Sequence, residues 1–268
     1  MTDDAYLNYR ISVPAEFSDV FTHFYFAENT TDETLIKTLL PTFQTILVFC
    51  FGPEVTLSSK QNTAITLDKC LVLGPIKQAF NYTLKPDAQI LVANFKDDAF
   101  YRFFGTATLE HIPFNPDDLL AENCFTYLWH QMEQLKTVEE KVNLILNFCK
   151  SYLKSQTGIA TLLTNFNDET QNPIKAVSQM SQLSERAIQY QHKKLFGFTA
   201  KEKMRYQRFL KTIQYLQNNP KTVNWFDIVE EYGYYDQSQL IHDFKHYINL
   251  SPNQYLKFQQ EICIGNSM

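Results

Sequence analysis

The chain has 268 residues, 44% of them hydrophobic, with 22 Phe and 15 Tyr against 7 Gly and 10 Pro. That is ample material for packed cores in one large or two ordinary domains, and it excludes a disordered or low-complexity protein. The net charge of −5 argues against a uniformly basic nucleic-acid binder, and five scattered cysteines (Cys50, Cys70, Cys124, Cys149, Cys263) with no CxxC pair exclude a disulfide framework and a thiolate zinc site.

The first 110 residues or so are β-rich. TILVFCF (45–51), AITLDKCLVLG (64–74), FNYTL (80–84) and AQILVANF (88–95) are β-branched or aromatic runs, punctuated by Gly52-Pro53, Gly74-Pro75 and Lys85-Pro86-Asp87. Asn115-Pro116-Asp117-Asp118 then signals a helix start before LLAENCFTYLWHQMEQL, and TVEEKVNLILNFCKSYL repeats apolar residues at helical spacing. Thr137 and Glu140 have the spacing of a capping box. The amphipathic stretch 117–154 also offers a route to dimerisation. TNFNDETQN (164–172) is the expected linker, which divides the chain into domains 1–164 and 165–268.

From Pro173 onward the pattern is helical. Asn172 can cap a helix with Pro173 in its first turn, Ser184 begins the next, and Gly197 ends it. Lys201–Gln217 predicts a long connecting helix with Met204, Phe209, Ile213 and Leu216 near one face. Val223–Tyr232 and Gln237–Tyr247 form a second helix pair around Gly233, and Ser251-Pro252 starts a last helix through Phe258. The fold class expected is α+β: a β-rich sandwich or barrel-like N-terminal domain with helices, then an all-α domain of two helix-turn-helix units joined by a linker helix.

Dividing the charge changes its meaning. Residues 1–164 hold 12 Lys+Arg against 19 Asp+Glu, or −7, whereas 165–268 hold 12 against 10, or +2. Between Arg186 and Lys211 eight basic residues face one acid, and from Thr212 onward three face six. Phosphate attraction follows local charge, so the first unit and the segment after it are expected to dominate backbone binding. Lys193, Lys194, Lys201, Lys203, Arg205 and Arg208 form the phosphate-binding set, with an ordinary solvated face as the bland alternative. In a helix-turn-helix the early residues of the second helix enter the major groove. With Val177, Leu183, Ile188 and Leu195 as core in the first unit, Arg186, Gln189 and Tyr190 face the groove. With Ile228, Val229, Leu240 and Phe244 as core in the second, Ser238, Gln239 and His242 do so. Tyr232, Tyr234 and Tyr235 are assigned to packing.

These residues resemble the AraC family of bacterial transcription regulators. The second unit carries hydrophobic-x-x-Tyr-Gly-aromatic, Asp236-x-Ser238, Phe244-Lys245 and Ser251-Pro252-x-x-Tyr255. The first carries Leu183-Ser184-Glu185-Arg186 and Lys193-Lys194-x-x-Gly197. The resemblance covers about 90 residues, near Pro173 to Lys257, and implies two subdomains reading adjacent major-groove segments, with the base-reading positions on Arg186, Gln189, Tyr190, Ser238, Gln239 and His242. Upstream, Leu40-Pro41 before ILVFCFG, Gly74-Pro75 and Ala99-Phe100-x-Arg102-x-Phe104-Gly105 resemble the companion domain of some AraC-type regulators. The chain departs from the family at Ser178, where a small apolar Ala is usual, and at His192, where Phe is common. Leu240 stands for a common Phe, while Tyr190 and His242 replace frequent cations. A first unit acting as anchor is therefore expected.

Enzyme signatures are missing: no P-loop, GxGxxG, HExxH or GxSxG occurs. His23, His111 and His130 are scattered without an HxH pair, so neither a cupin-type metal site nor a cofactor is expected, and Glu139-Glu140 reads as a solvated helix start. No run approaches the roughly 18 apolar residues of a membrane span, and MTDDAYLNYR has no apolar signal core, so a cytoplasmic location is expected. The expectation is a sequence-specific DNA-binding transcription regulator. Its N-terminal domain pairs chains or takes a small-molecule effector or a protein partner. The alternative is a sensing or interaction module with weakened DNA binding.

Overall fold

Strand β4 (Ile46–Phe51) is buried at every position, and the two sides of its pleat serve different cores. Leu47, Phe49 and Phe51 face a helical layer, while Ile46, Val48 and Cys50 face a second sheet. The period of two along a strand enforces this division, and burial on both sides explains the unbroken apolar run in the sequence. The computed structural model describes residues 6–58, 64–106, 115–120, 123–168, 171–219 and 223–258. His111, Cys263 and residues 121–122 of the expected first helix lie outside them.

Two antiparallel sheets build the N-terminal half. β1 (Tyr6–Ile11), β2 (Phe21–Asn29), β9 (Gln89–Phe95), β4 and β7 (Cys70–Leu73) form a five-stranded sheet in that order. β3 (Leu35–Leu39), β8 (Phe80–Leu84), β5 (Val55–Ser58) and β6 (Ala64–Leu67) form a four-stranded one. Their inner faces meet through Ile46, Val48, Ile90 and Val92 on one side and Val55, Leu57, Leu67 and Leu84 on the other. The expected strand 64–74 is two strands, β6 and β7, which lie in different sheets. β1, β2, β3 and β5 have no counterpart among the expected strands.

The outer face of the larger sheet is covered by α1 (Ala99–Phe104), α3 (Cys124–Glu133) and α4 (Val138–Lys150), which bury Phe103, Phe125, Trp129, Met132, Ile145 and Cys149 against Phe24, Phe49, Leu91 and Phe95. The helix expected at 119–135 is divided into α2 (Pro116–Leu120) and α3. Buried Asp117 explains the division: its carboxylate accepts from the Phe125 and Thr126 amides, at 2.6 and 3.0 Å, and caps α3 from outside the helix. At α4 the Thr137–Glu140 capping box is formed as expected. The apolar faces of α3 and α4, which in the sequence suggested a dimer contact, are covered by the chain's own sheet.

Among the described residues seven helices follow: α5 (Gly158–Thr164), α6 (Pro173–Ser181), α7 (Glu185–Phe196), α8 (Ala200–Asn218), α9 (Trp225–Glu231), α10 (Gln237–Tyr247) and α11 (Pro252–Phe258). Asn172, Ser184, Thr199, Asn224 and Asp236 each cap the helix they precede. α5 lies before the expected boundary at 164/165, yet Ile159, Leu162, Leu163 and Phe166 pack with Ile174, Val177 and Ile188, so the first unit's core extends back to Ile159. No described helix is long and apolar enough to cross a membrane.

The two halves share a core. Phe43, on the loop between β3 and β4, stacks on Tyr206 of α8 with ring centroids 4.3 Å apart and meets Phe198 edge-on at 5.2 Å. The Tyr206 hydroxyl donates to the Pro41 carbonyl. The Ala79 amide donates to the carbonyl of Tyr247, the last residue of α10, at 2.8 Å, and Lys77 pairs with Glu202 at 3.0 Å. Truncating Phe43 to Ala removes the central ring of this contact and should cost about 3 kcal/mol. In scanning calorimetry, a single cooperative transition in the parent chain should split into two in the variant; one undivided transition in Phe43→Ala would show that the contact does not couple the halves.

Candidate nucleic-acid interface

The first helical pair turns without glycine. Gln182 takes the left-handed conformation (φ 57°) at the end of α6, and the Ser178 hydroxyl donates to the Leu183 carbonyl at 2.6 Å across the turn. Ser178 thus closes the corner. Leu183, expected inside, is 43% exposed, because this hydrogen bond places its residue on the outer edge of the turn. Val177, Ile188 and Leu195 are buried as read. His192 is buried too. Its ring lies beside Phe196 and Phe198, and its Nδ1 is 2.8 Å from the Phe198 carbonyl, where it must carry the proton to donate.

The opposite face of α7 is open: Arg186, Gln189, Tyr190 and Lys193 are exposed, with Tyr190 at 66%. Helical spacing separates them from Ile188, His192 and Leu195, as the sequence implied. Gly197 ends α7 at φ 76°.

In the second pair the turn falls on Gly233 (φ 68°), where the left-handed backbone disfavours any side chain. Ile228, Leu240 and Phe244 are buried, and Val229 is half-buried against the same core. Tyr255 is fully buried beside Phe244, and the Ser251 hydroxyl accepts from the Gln254 amide, so Ser251-Pro252-x-x-Tyr255 is a cap, a helix start and an anchor. Ser238 and His242 are exposed on α10. Gln239 is half-buried, and its Oε1 accepts from the Tyr235 amide at 2.7 Å while Asp236 caps the Gln239 amide at 2.7 Å. Its carbonyl oxygen is therefore engaged in fixing the entry to the helix. Of the tyrosines assigned to packing, Tyr234 is buried and Tyr232 is half-buried against Tyr215, but Tyr235 is 91% exposed beside the start of α10. Its neighbour Tyr234 takes the inward position, which turns Tyr235 outward.

The cations divide into two groups. Lys193, Lys194 and Lys201 are exposed, with Lys194 5.7 Å from the Tyr101 ring of α1. Lys203 is half-buried against Phe198, and burial lowers its pKa despite the opposing field of Asp97. Arg205 and Arg208 turn inward to Asp243, which is fully buried on α10. Arg205 reaches its Oδ1 at 2.6 Å, and Arg208 reaches Oδ2 at 2.9 Å while its guanidinium lies 4.4 Å over the Tyr234 ring. Arg205 Nη2 also lies 2.9 Å from His242 Nδ1. Two of the six expected phosphate ligands, Arg205 and Arg208, are thus occupied within the fold, because a carboxylate buried on the facing helix draws them in. On α8, Tyr206 takes the inner position expected of Met204, which is 46% exposed.

A family model described as a helix-turn-helix domain matches residues 177–257. ToxT from Vibrio cholerae shares 11% identity, with 95% of this chain and 98% of that one covered, at a TM-score of 0.39. The same protein solved with bound unsaturated fatty acid shares 11% identity over 96% of each chain, at a TM-score of 0.39. A cupin protein from Desulfovibrio desulfuricans covers 35% of this chain and 85% of its own, with 12% identity and a TM-score of 0.28. A search of curated proteins finds no match.

The buried His192 gives the first unit a pH signature. Burial lowers its pKa below the ordinary 6.5, against the pull of its bond to Phe198, so the folded state favours the neutral ring. Its contribution to stability is complete above the unfolded value of 6.5 and is lost as the pH falls towards the lower folded value. His192→Phe should lose about 1 kcal/mol at pH 7.5, from the unpartnered Phe198 carbonyl. It should also show a shallower decline between pH 7 and 5 in urea unfolding; an equally steep decline in both proteins would rule His192 out as the source.

Proposed function

We propose, taking residues 177–257 as an AraC-type helix-turn-helix domain, that this chain is a sequence-specific DNA-binding transcription regulator whose two recognition helices enter adjacent major-groove segments. The observation that carries the reading is the pair of open faces on α7 and α10. Each recognition helix buries one side against its own unit and leaves polar residues, Arg186, Gln189 and Tyr190 or Ser238 and His242, on the other. That is the distribution a groove-reading helix needs.

Roles follow from the geometry. Arg186 is an exposed guanidinium in the first turn of α7, suited to the paired O6 and N7 acceptors of guanine. Lys193, Lys194 and Lys201 supply phosphate contacts, which hold the protein in register without reading sequence. Arg205 and Arg208 brace α8 against α10. Gln239 shapes the start of α10 and reads bases at most through its amide nitrogen. α9 presents exposed Asp227, Glu230 and Glu231 within the second unit, so the first unit is the anchor and the second refines the choice of site. The N-terminal sandwich grips α8 and the end of α10 through Phe43, Lys77 and Ala79, so an effector or partner that shifts the sandwich shifts the second unit first. The alternative, a sensing module with weakened DNA binding, draws on those same acids.

Two measurements on duplexes recovered by the protein from randomised DNA check these roles. Arg186→Ala should weaken binding by about 10- to 100-fold and relax one base position, and His242→Ala by less; equal losses would remove the anchor role. Lys193→Ala should reduce the slope of log affinity against log salt by about one unit, while Arg208→Ala leaves that slope unchanged. A fall of the slope in Arg208→Ala would return that residue to the phosphate set, and wild-type binding without salt dependence would favour the alternative reading.

A further inference from the structure

His242 and Arg205 fix each other's chemistry. A guanidinium has N–H donors, no acceptor, and does not lose its proton in proteins. Where Arg205 Nη2 stands 2.9 Å from His242 Nδ1, the ring nitrogen is therefore the acceptor. A neutral imidazole that accepts at Nδ1 carries its hydrogen on Nε2, at the far edge of the ring. An imidazolium would set N–H against N–H at this contact.

Arg205 is not free to leave. Its Nε and Nη2 both lie 2.6 Å from Oδ1 of buried Asp243, and its guanidinium lies 5.6 Å from the Tyr247 ring centroid. Arg208 holds the other carboxylate oxygen. One turn along α10, the His246 ring runs parallel to that of His242, 6.4 Å away, with its Nδ1 3.5 Å from the Gln78 amide nitrogen. The groups facing His242 are thus Arg205 from α8 and His246 from its own helix, and His242 is otherwise exposed.

We infer that Arg205 is a positioning residue that presents His242 to the duplex as a hydrogen-bond donor through Nε2, and so sets the base preference of the second unit. This rests on the reading of α10 as a recognition helix. A donor at this point suits guanine O6 or N7, adenine N7 or thymine O4, and finds no acceptor on the major-groove edge of cytosine. Arg205, which sequence charge placed among the phosphate ligands, then acts on specificity without touching DNA.

The test uses the full chain labelled with 15N-histidine. Two-bond nitrogen–proton correlation spectra at pH 7.5 report which ring nitrogen carries the proton, and the His242 signal is the one lost in His242→Asn. Wild type should show the Nε2–H form; an Nδ1–H form or an imidazolium would overturn the inference without any variant. Arg205→Lys keeps a cation beside Asp243, but its single ammonium cannot hold the same fork. It should turn the signal into a tautomer mixture and relax discrimination against cytosine at the pair read by α10 by about fivefold, the worth of one net hydrogen bond. Unchanged base preference in Arg205→Lys would also overturn it. A chain with the Nε2–H form that binds no duplex would instead sink the proposed function.

Discussion

Asp243 is a carboxylate without solvent exposure, on a helix that offers its outer face to solvent. Removing a charge from water costs several kcal/mol unless partners replace the lost hydration, and here Arg205 and Arg208 provide them from α8. The requirement runs both ways. The two arginines are recruited away from the surface, and α10 is held on the linker helix in one rotation about its axis. Tyr234 under Arg208 and Tyr247 beside Arg205 complete the seat with aromatic faces. An apolar pair of similar size could fill the space, but directional bonds to both carboxylate oxygens also fix which residues of α10 point outward.

The same linker helix bears the contact with the N-terminal half. Tyr206, Phe209 and Ile213 lie on its buried side, and Phe43 of the sandwich inserts among Phe198, Tyr206 and Tyr247. Glu202 caps the start of α8 with one oxygen and pairs with Lys77 through the other. α8 is thus a frame shared by three parts: the sandwich at its beginning, the first unit through α7 and Gly197, and the second unit through Asp243. A displacement of the loops bearing Phe43 and Lys77 acts on this frame directly.

Much of this was legible in the chain. Side-chain caps announce helices locally, so Thr137, Asn172 and Ser184 mark starts that the structure keeps, and α10 spans the range read from its periodicity. Burial on both faces made β4 and β9 obvious. Of the strands missed, β1 is mostly exposed and β3 half-buried, and their patterns are weak. The break between α2 and α3 depends on Asp117 reaching forward to Phe125, a tertiary contact that periodicity does not encode. The same reason separates the site residues that held their expected surface positions, such as Arg186 and Ser238, from those that did not. Charge density counts Arg205 and Arg208 as surface cations, although Asp243 lies 35 or more positions away in sequence. A better signal was present in the spacing of Tyr206, Phe209, Ile213 and Leu216, which defines the inner face of α8 and leaves Met204 off it.

The central claim is that α10 depends on the buried carboxylate for its seat, while α7 does not. Hydroxyl-radical footprinting of Asp243→Asn against the parent chain, on one duplex bound by the parent, tests this most directly. The account predicts that protection over the segment read by α7 remains and that over the segment read by α10 disappears. Protection of both segments at the parental concentration would contradict it.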